Sequence, residues 1–257
     1  MALCGIDSLV HLALKMGQGE VLSFAVVLGI LFDYRKEDFE RAACFVCFVM
    51  IFNTLLKNIF KVPLFPHLGH GYAFPSGHMH VAAIFYGYFI YRTRSHAVQA
   101  ILISLLGCVA SSIVYKHFHD WYDIFGATVF TCLEIAGYHF LRKRYGEWGT
   151  DIISILLVIT VFCTLQSVYG AKSYNWLALY VFSGIVIGKR LCGKIIITRW
   201  SQKLVSLSIW AGMAAIVRFF NKNPSRYFLF MIGIYLSIWL ASNLYKPDTQ
   251  SSPENQE

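Results

Sequence analysis

The sequence predicts an all-α fold, a polytopic bundle of about nine transmembrane helices. Three observations predict it. Of its 257 residues 57% are hydrophobic and only 14% are charged, against about 25% charged in an ordinary soluble domain. Apolar runs long enough for helices recur along the whole chain, without the strict alternation that a membrane barrel requires. The basic residues fall in the short gaps between those runs.

Residues 1–16 carry Leu9, Val10, Leu12 and Leu14 and read as an amphipathic segment lying on a membrane surface. The segment has no basic amino-terminal stretch and its apolar run is too short to cross, which argues against a secretory leader. Apolar runs at about 17–33, 41–60, 79–92, 97–116 and 122–141 make a first helical block, residues 17–145. Runs at about 150–168, 174–191, 203–220 and 227–245 make a second, residues 146–245. Several runs are short for a bilayer. Residues 246–257 are polar and predicted to be disordered.

The net charge of +8 is distributed between the apolar runs, so it reads as topology and lipid-headgroup contact, with no nucleic-acid partner. Placing the runs alternately across a bilayer puts 14 Lys and Arg on one side, including Arg35, Arg92, Arg142 and Lys189, and 8 on the other. The richer side is expected to be cytoplasmic. His67, His70, His78, His80, His117 and His119 then gather on the opposite side, facing periplasm, exterior or organelle lumen. Seven cysteines lie mostly inside the runs. Cys44 and Cys47 form a C-x-x-C without a second pair or a redox context, and read as inert thiols.

Two constellations carry chemistry. In the loop from Lys57 to His80, Pro75-Ser76-Gly77-His78 precedes an apolar helix. Gly77 permits a tight turn, and a helix amino terminus offers N–H groups to an anion. Ser76 adds a hydroxyl, and His78 a proton donor for neutral pH. The bland alternative is a helix cap with an incidental histidine. In the second constellation, residues 111–127, His119 and Asp123 are four apart. On a helix they share a face, where the carboxylate fixes the imidazole tautomer and leaves the other nitrogen as a nucleophile. Here the bland alternative is an interfacial cluster anchored by Trp121 and Tyr122.

Together these residues resemble the type 2 phosphatidic acid phosphatase superfamily, which carries K-x6-R-P, P-S-G-H and S-R-x5-H-x3-D. Lys57 matches the first motif's lysine, residues 75–78 the second motif in full, and Ser112, His119 and Asp123 the third. The resemblance covers roughly residues 41–130. Both motif arginines are replaced, by Leu64 and Ile113. Lys61 and Lys116 each lie about one helical turn from the family's phosphate-binding positions and are candidate substitutes, as point charges in place of planar forks.

The resemblance implies that His119 attacks phosphorus to give a phosphohistidine, with Asp123 orienting the ring. His78 protonates the leaving oxygen and then activates water, while Lys57, Ser76 and Gly77 hold the phosphoryl oxygens. It implies no cofactor and no metal. Activity of this kind follows a bell-shaped pH profile. A site at the bilayer surface suits an amphiphilic phosphate, of phosphatidate, polyprenyl or sphingolipid type. Alternatives are a phosphotransferase on the same scaffold, a catalytically weak lipid-phosphate binder, or a metal transporter using His67, His70, His78 and His80, which lack acidic or thiolate co-ligands at suitable spacing. Glu134 and Gln166 are polar residues within apolar runs and take no assigned role.

Overall fold

The computed structural model describes residues 2–32, 36–192 and 208, and these are helical with connecting loops. Among the described residues seven α-helices follow in order: α1 (Ala2–Met16), α2 (Gly19–Phe32), α3 (Lys36–Phe60), α4 (Gly77–Arg92), α5 (His96–Tyr115), α6 (Trp121–Val168) and α7 (Ser173–Cys192). The long connection between α3 and α4 contains one 3-10 turn, Pro66–Leu68, and an isolated antiparallel bridge between Pro63 and Tyr72. The chain divides into two units, Met1–Phe182 and Ser183–Glu257, and all the candidate site residues lie in the first.

Local sequence explains where the helices start and stop. Ser76, Ser95 and Asp120 take extended conformations and cap α4, α5 and α6, accepting from the backbone N–H of Met79, Val98 and Asp123 respectively. Each supplies an acceptor that the first helical turn otherwise lacks. Glu37 and Asp38 lie in the first turn of α3, where acids suit the helix dipole. Lys61 terminates α3 with a left-handed φ of 53°, its N–H donating to the carbonyl of Lys57 at 3.0 Å.

α4 occupies the centre of the first unit, packed against α3, α5 and α6. Its Met79, Ala82, Ala83, Phe85 and Tyr88 meet Val109, Ala110 and Ile113 of α5 and Ile124 and Ala127 of α6 in the core. At its far end, Asp38 accepts from the Tyr88 hydroxyl and from Arg92 Nε, both at 3.0 Å, so its buried carboxylate is paired. Asn175 of α7, with no exposed surface, donates from Nδ2 to the carbonyl of Met50 and to Thr54 Oγ1, each at 2.9 Å.

Among the described residues, three helices are long and apolar enough to cross a membrane: Glu37–Phe60, His96–Tyr115 and Trp121–Val168. A fourth span arises if Asp7–Met16 and Val21–Ile30, bent by 53°, are counted as one broken crossing. The sequence predicts about nine. Length explains part of the difference. α2 and α4 have 14 and 16 residues, or roughly 21 and 24 Å at 1.5 Å per residue, short of an apolar layer of about 30 Å. The runs at 122–141 and 150–168 lie on either side of a kink in α6 at Gly146, whose φ of 68° and ψ of −170° are not helical, so two predicted spans fall within one counted element. A positive φ there suits a residue without Cβ. The runs at 203–220 and 227–245, and the tail 246–257, lie outside the described residues. Residues 1–16, expected to lie on the membrane surface, form α1, which packs along α5 with Leu14 and Met16 against the core and Leu9 and Leu12 exposed.

Candidate functional site

The amino-terminal end of α4 is built by the tetrapeptide at residues 75–78. Ser76 is fully buried as the cap, its Oγ 3.5 Å from the Met79 nitrogen and its carbonyl accepting from His80 N–H at 2.9 Å. Gly77 and His78 open the helix, so their N–H groups have no acceptor within it. The cap reading of Ser76 and the anion-binding reading are therefore compatible, since one hydroxyl both accepts from Met79 and retains a proton to donate.

The second constellation forms at the start of α6. His119 Nδ1–H donates to Asp123 Oδ2 at 2.8 Å, and both residues are buried. The carboxylate only accepts, so the contact places the ring proton on Nδ1 and the lone pair on Nε2. The pair forms by a different route from the one its spacing suggests. His119 precedes the helix and Asp120 is the cap, its Oδ1 accepting from Asp123 N–H at 2.9 Å. Asp123 sits in the first turn, where its side chain leans back toward His119.

Backbone contacts join the two constellations. Ser76 N–H donates to the carbonyl of Asp123 at 3.1 Å. Gly126 lets the ring of Phe74 lie directly on α6: a β-carbon there would stand 2.1 Å from Phe74 Cε2. Lys57 completes the group from α3. A β-carbon on Gly77 would be 4.0 Å from Lys57 Cε and 3.3 Å from Asn53 Oδ1. The Lys57 ammonium donates to the Tyr72 carbonyl at 2.8 Å, which fixes the stem beside the turn.

His78 keeps much of its surface open, while its ring lies against enough protein for desolvation to lower its pKa from the usual histidine value. Neighbouring His119 and Lys57 push it the same way. The two histidines and the lysine are thus electrostatic neighbours. Chemically, the group offers a nucleophilic nitrogen, a second imidazole able to carry a proton, an ammonium, and two amides at a helix start.

The remaining sequence candidates take other positions. Lys61 is exposed at the end of α3, and among the described residues none pairs with its ammonium. Lys116 caps the end of α5, and its ammonium donates to Asp7 Oδ1 of α1 at 2.6 Å. Ser112 is buried, with its carbonyl accepting from Lys116 N–H at 3.1 Å. Ile113, at a motif arginine position, belongs to the apolar core. His67 donates from Nε2 to the His117 carbonyl at 3.1 Å and, with Phe65, Lys116 and His117, lines an open depression.

Among the histidines grouped by the sequence, His80 takes the position that differs most from its sequence reading. It has no exposed surface and points into the bundle. Its Nδ1 lies 3.1 Å from Asn53 Nδ2 and its Nε2 lies 3.2 Å from Glu134 Oε2. Asn53 Nδ2 also donates to the carbonyl of Pro75 at 3.3 Å. Sequence reasoning missed Asn53 altogether; the available signal was an amide inside an apolar run, one turn before Lys57. Among the described residues no three His, Cys, Asp or Glu side chains converge as a metal-binding group.

Comparison of the chain with family models, curated proteins and solved structures finds no match to any of them.

Proposed function

We propose that the chain is a membrane phosphatase that hydrolyses an amphiphilic phosphate through a phosphohistidine intermediate, on a core resembling the type 2 phosphatidic acid phosphatases. The observation that carries this reading is the buried His119–Asp123 pair, hydrogen-bonded at 2.8 Å, lying beside a helix start that exposes the amides of Gly77 and His78. An imidazole held in this tautomer has a free Nε2 for attack.

In this reaction Nε2 of His119 forms a bond to phosphorus as the bond to the leaving oxygen breaks, and Nδ1–H stays with Asp123. His78 gives its proton to that oxygen. The now neutral His78 takes a proton from water, whose oxygen displaces His119 from phosphorus and releases phosphate. Lys57, Ser76 and the Gly77 amide balance charge on the phosphoryl oxygens. Exposed Trp121, Tyr122 and Phe125 at the start of α6 favour an amphiphile, since such aromatics suit the water–lipid boundary. We place the site on the side poorer in Lys and Arg, which is the periplasmic, exterior or luminal side, and we take the full chain to cross the bilayer about nine times.

A second reading, a lipid-phosphate binder with little turnover, is favoured by one observation: Lys116 is engaged by Asp7, which leaves fewer cations for the places of the two missing arginines. Phosphate release by the purified full chain in detergent separates the two. Phosphatidate, a polyprenyl diphosphate and a soluble sugar phosphate are offered, with chelator present, beside His119→Ala. Release from an amphiphile that disappears in the variant supports the phosphatase. Equal release from both proteins removes it, and binding of labelled phosphatidate without release supports the binder.

A further inference from the structure

A polar chain runs from the interior of the helical bundle to the turn that opens α4. Glu134 lies on α6 with its side chain only 8% exposed, and its Oε2 is 3.2 Å from His80 Nε2. Among the described residues its Oε1 has no hydrogen-bond partner, and neither does Thr131 Oγ1 one turn before it. Burying an acid among apolar helices is unfavourable, and such residues in membranes are functional by default. Here the contact to His80 is what accounts for the residue.

Geometry fixes the protons along the chain. The Pro75 carbonyl can only accept, so Asn53 faces it with its amide nitrogen. That same nitrogen lies 3.1 Å from His80 Nδ1, which must therefore accept. The ring proton is then on Nε2 and is donated to Glu134. Acceptor and donor alternate without a break: Glu134, His80, Asn53, Pro75. Three helices are linked in this way, and they are the helices that bring Lys57, His78 and the His119–Asp123 pair to one place.

We propose that Glu134, His80 and Asn53 form a hydrogen-bond relay that holds the Pro75–Gly77 turn in the shape that presents the amides of Gly77 and His78. Glu134 and Asn53 are then positioning residues for the anion site, although Glu134 does not touch it. That role in catalysis rests on the phosphatase reading; the relay itself does not.

The test uses the full-length protein in detergent and two readouts. Amide hydrogen exchange is measured across residues 76–80, read at the hydrogen-bonded amides of Ser76, Met79 and His80, with α5 as an internal control. His80 nitrogen shifts, assigned through His80→Gln, report its tautomer. Wild type is expected to show the neutral Nε2–H form. Glu134→Leu and Asn53→Ala should each speed exchange at residues 76–80 by about tenfold or more while α5 keeps its protection. Glu134→Gln retains an acceptor and should restore protection to within about threefold of wild type. Should Glu134→Leu fail to fold, Asn53→Ala and Glu134→Gln still decide the matter. Phosphate release is followed in parallel, where a displaced turn should lower kcat/KM by about tenfold to a hundredfold. Unchanged exchange in Asn53→Ala, or a His80 proton on Nδ1, overturns the relay even if His119-dependent release is intact. Faster local exchange in a protein that releases no phosphate keeps the relay and removes the phosphatase.

Discussion

The backbone N–H of Ser76 donates to the carbonyl oxygen of Asp123 at 3.1 Å, so the first turns of α4 and α6 are tied together by the main chain. Side chains at the start of either helix inherit that registration. His78 belongs to one and Asp123, with the His119 it holds, to the other. Their proximity does not depend on a long flexible side chain.

The His119–Asp123 contact makes the sharpest prediction. Asp123→Asn leaves a side chain of the same shape but can donate to Nδ1, which would put the ring proton on the wrong nitrogen. By analogy with other aspartate-oriented histidines, kcat should fall by about 10³–10⁴-fold with KM changed far less. Steady-state phosphate release measures both. A fall in KM-dependent terms alone would contradict the orienting role.

The pH dependence follows from His78. Its pKa is lowered, first by desolvation and then by neighbouring His119 and Lys57. A general acid must be protonated, so kcat/KM should decline as pH rises through a value below the usual histidine pKa of about 6.5. The same depressed pKa means that the unfolded chain binds this proton more readily. The contribution of His78 to stability is therefore lost as pH falls below its unfolded value. Lys57→Met removes one of the charges and should move the alkaline limb of the profile upward, measurable in a pH series of kcat/KM.

Lys57 and Lys116 should not be equivalent. The Lys57 stem lies beside Gly77, whereas the Lys116 ammonium is bound by Asp7. Lys57→Met is expected to lower kcat/KM by at least about tenfold, the scale of one lost charge-assisted hydrogen bond. Lys116→Met should lower it less. A larger loss at Lys116 would show that the cation leaves Asp7 when substrate binds.

Gly126 tests the seating of the α3–α4 connection on α6. A β-carbon there overlaps the Phe74 ring, and overpacking of this kind costs about 1–3 kcal/mol. Gly126→Ala should lower the Tm in detergent and reduce phosphate release, because the ring must move. Trimming the ring in Phe74→Leu together with Gly126→Ala should recover part of the lost Tm. Equal thermal stability of Gly126→Ala and wild type would mean that the connection is easily displaced.

The candidate site was legible where a polar residue is expensive in an apolar chain. Lys57, Ser76, His78, His119 and Asp123 stand out for that reason, and Gly77 marks the turn between them. What the sequence could not convey were relationships fixed only by packing. His119 and Asp123 suggest a shared helical face by spacing, yet Asp120 takes the cap and leaves His119 outside the helix. A sequence cue existed, an acid three residues before another acid at the start of an apolar run. His80 reads as one more loop histidine because its partners, Asn53 and Glu134, are 27 and 54 residues away. Helices were easier than spans: apolarity locates α2 and α4, and the run at 79–92 already reads as short for a bilayer.

The joining of Ser76 to Asp123 has an electrical consequence. Two helices begin at one point, and each brings the positive end of its peptide dipoles, equivalent to about half an elementary charge. Summed, the termini of α4 and α6 amount to roughly one cation that no count of lysines and arginines would register. Asp123, at the head of α6, offsets part of that potential and is itself stabilised by it. Where leucine and isoleucine stand at both motif arginine positions, the main chain supplies positive potential that the proposed anion site would draw on. Such a source has no side chain to substitute, keeps its sign at every pH, and weakens only when the ends of the two helices move apart.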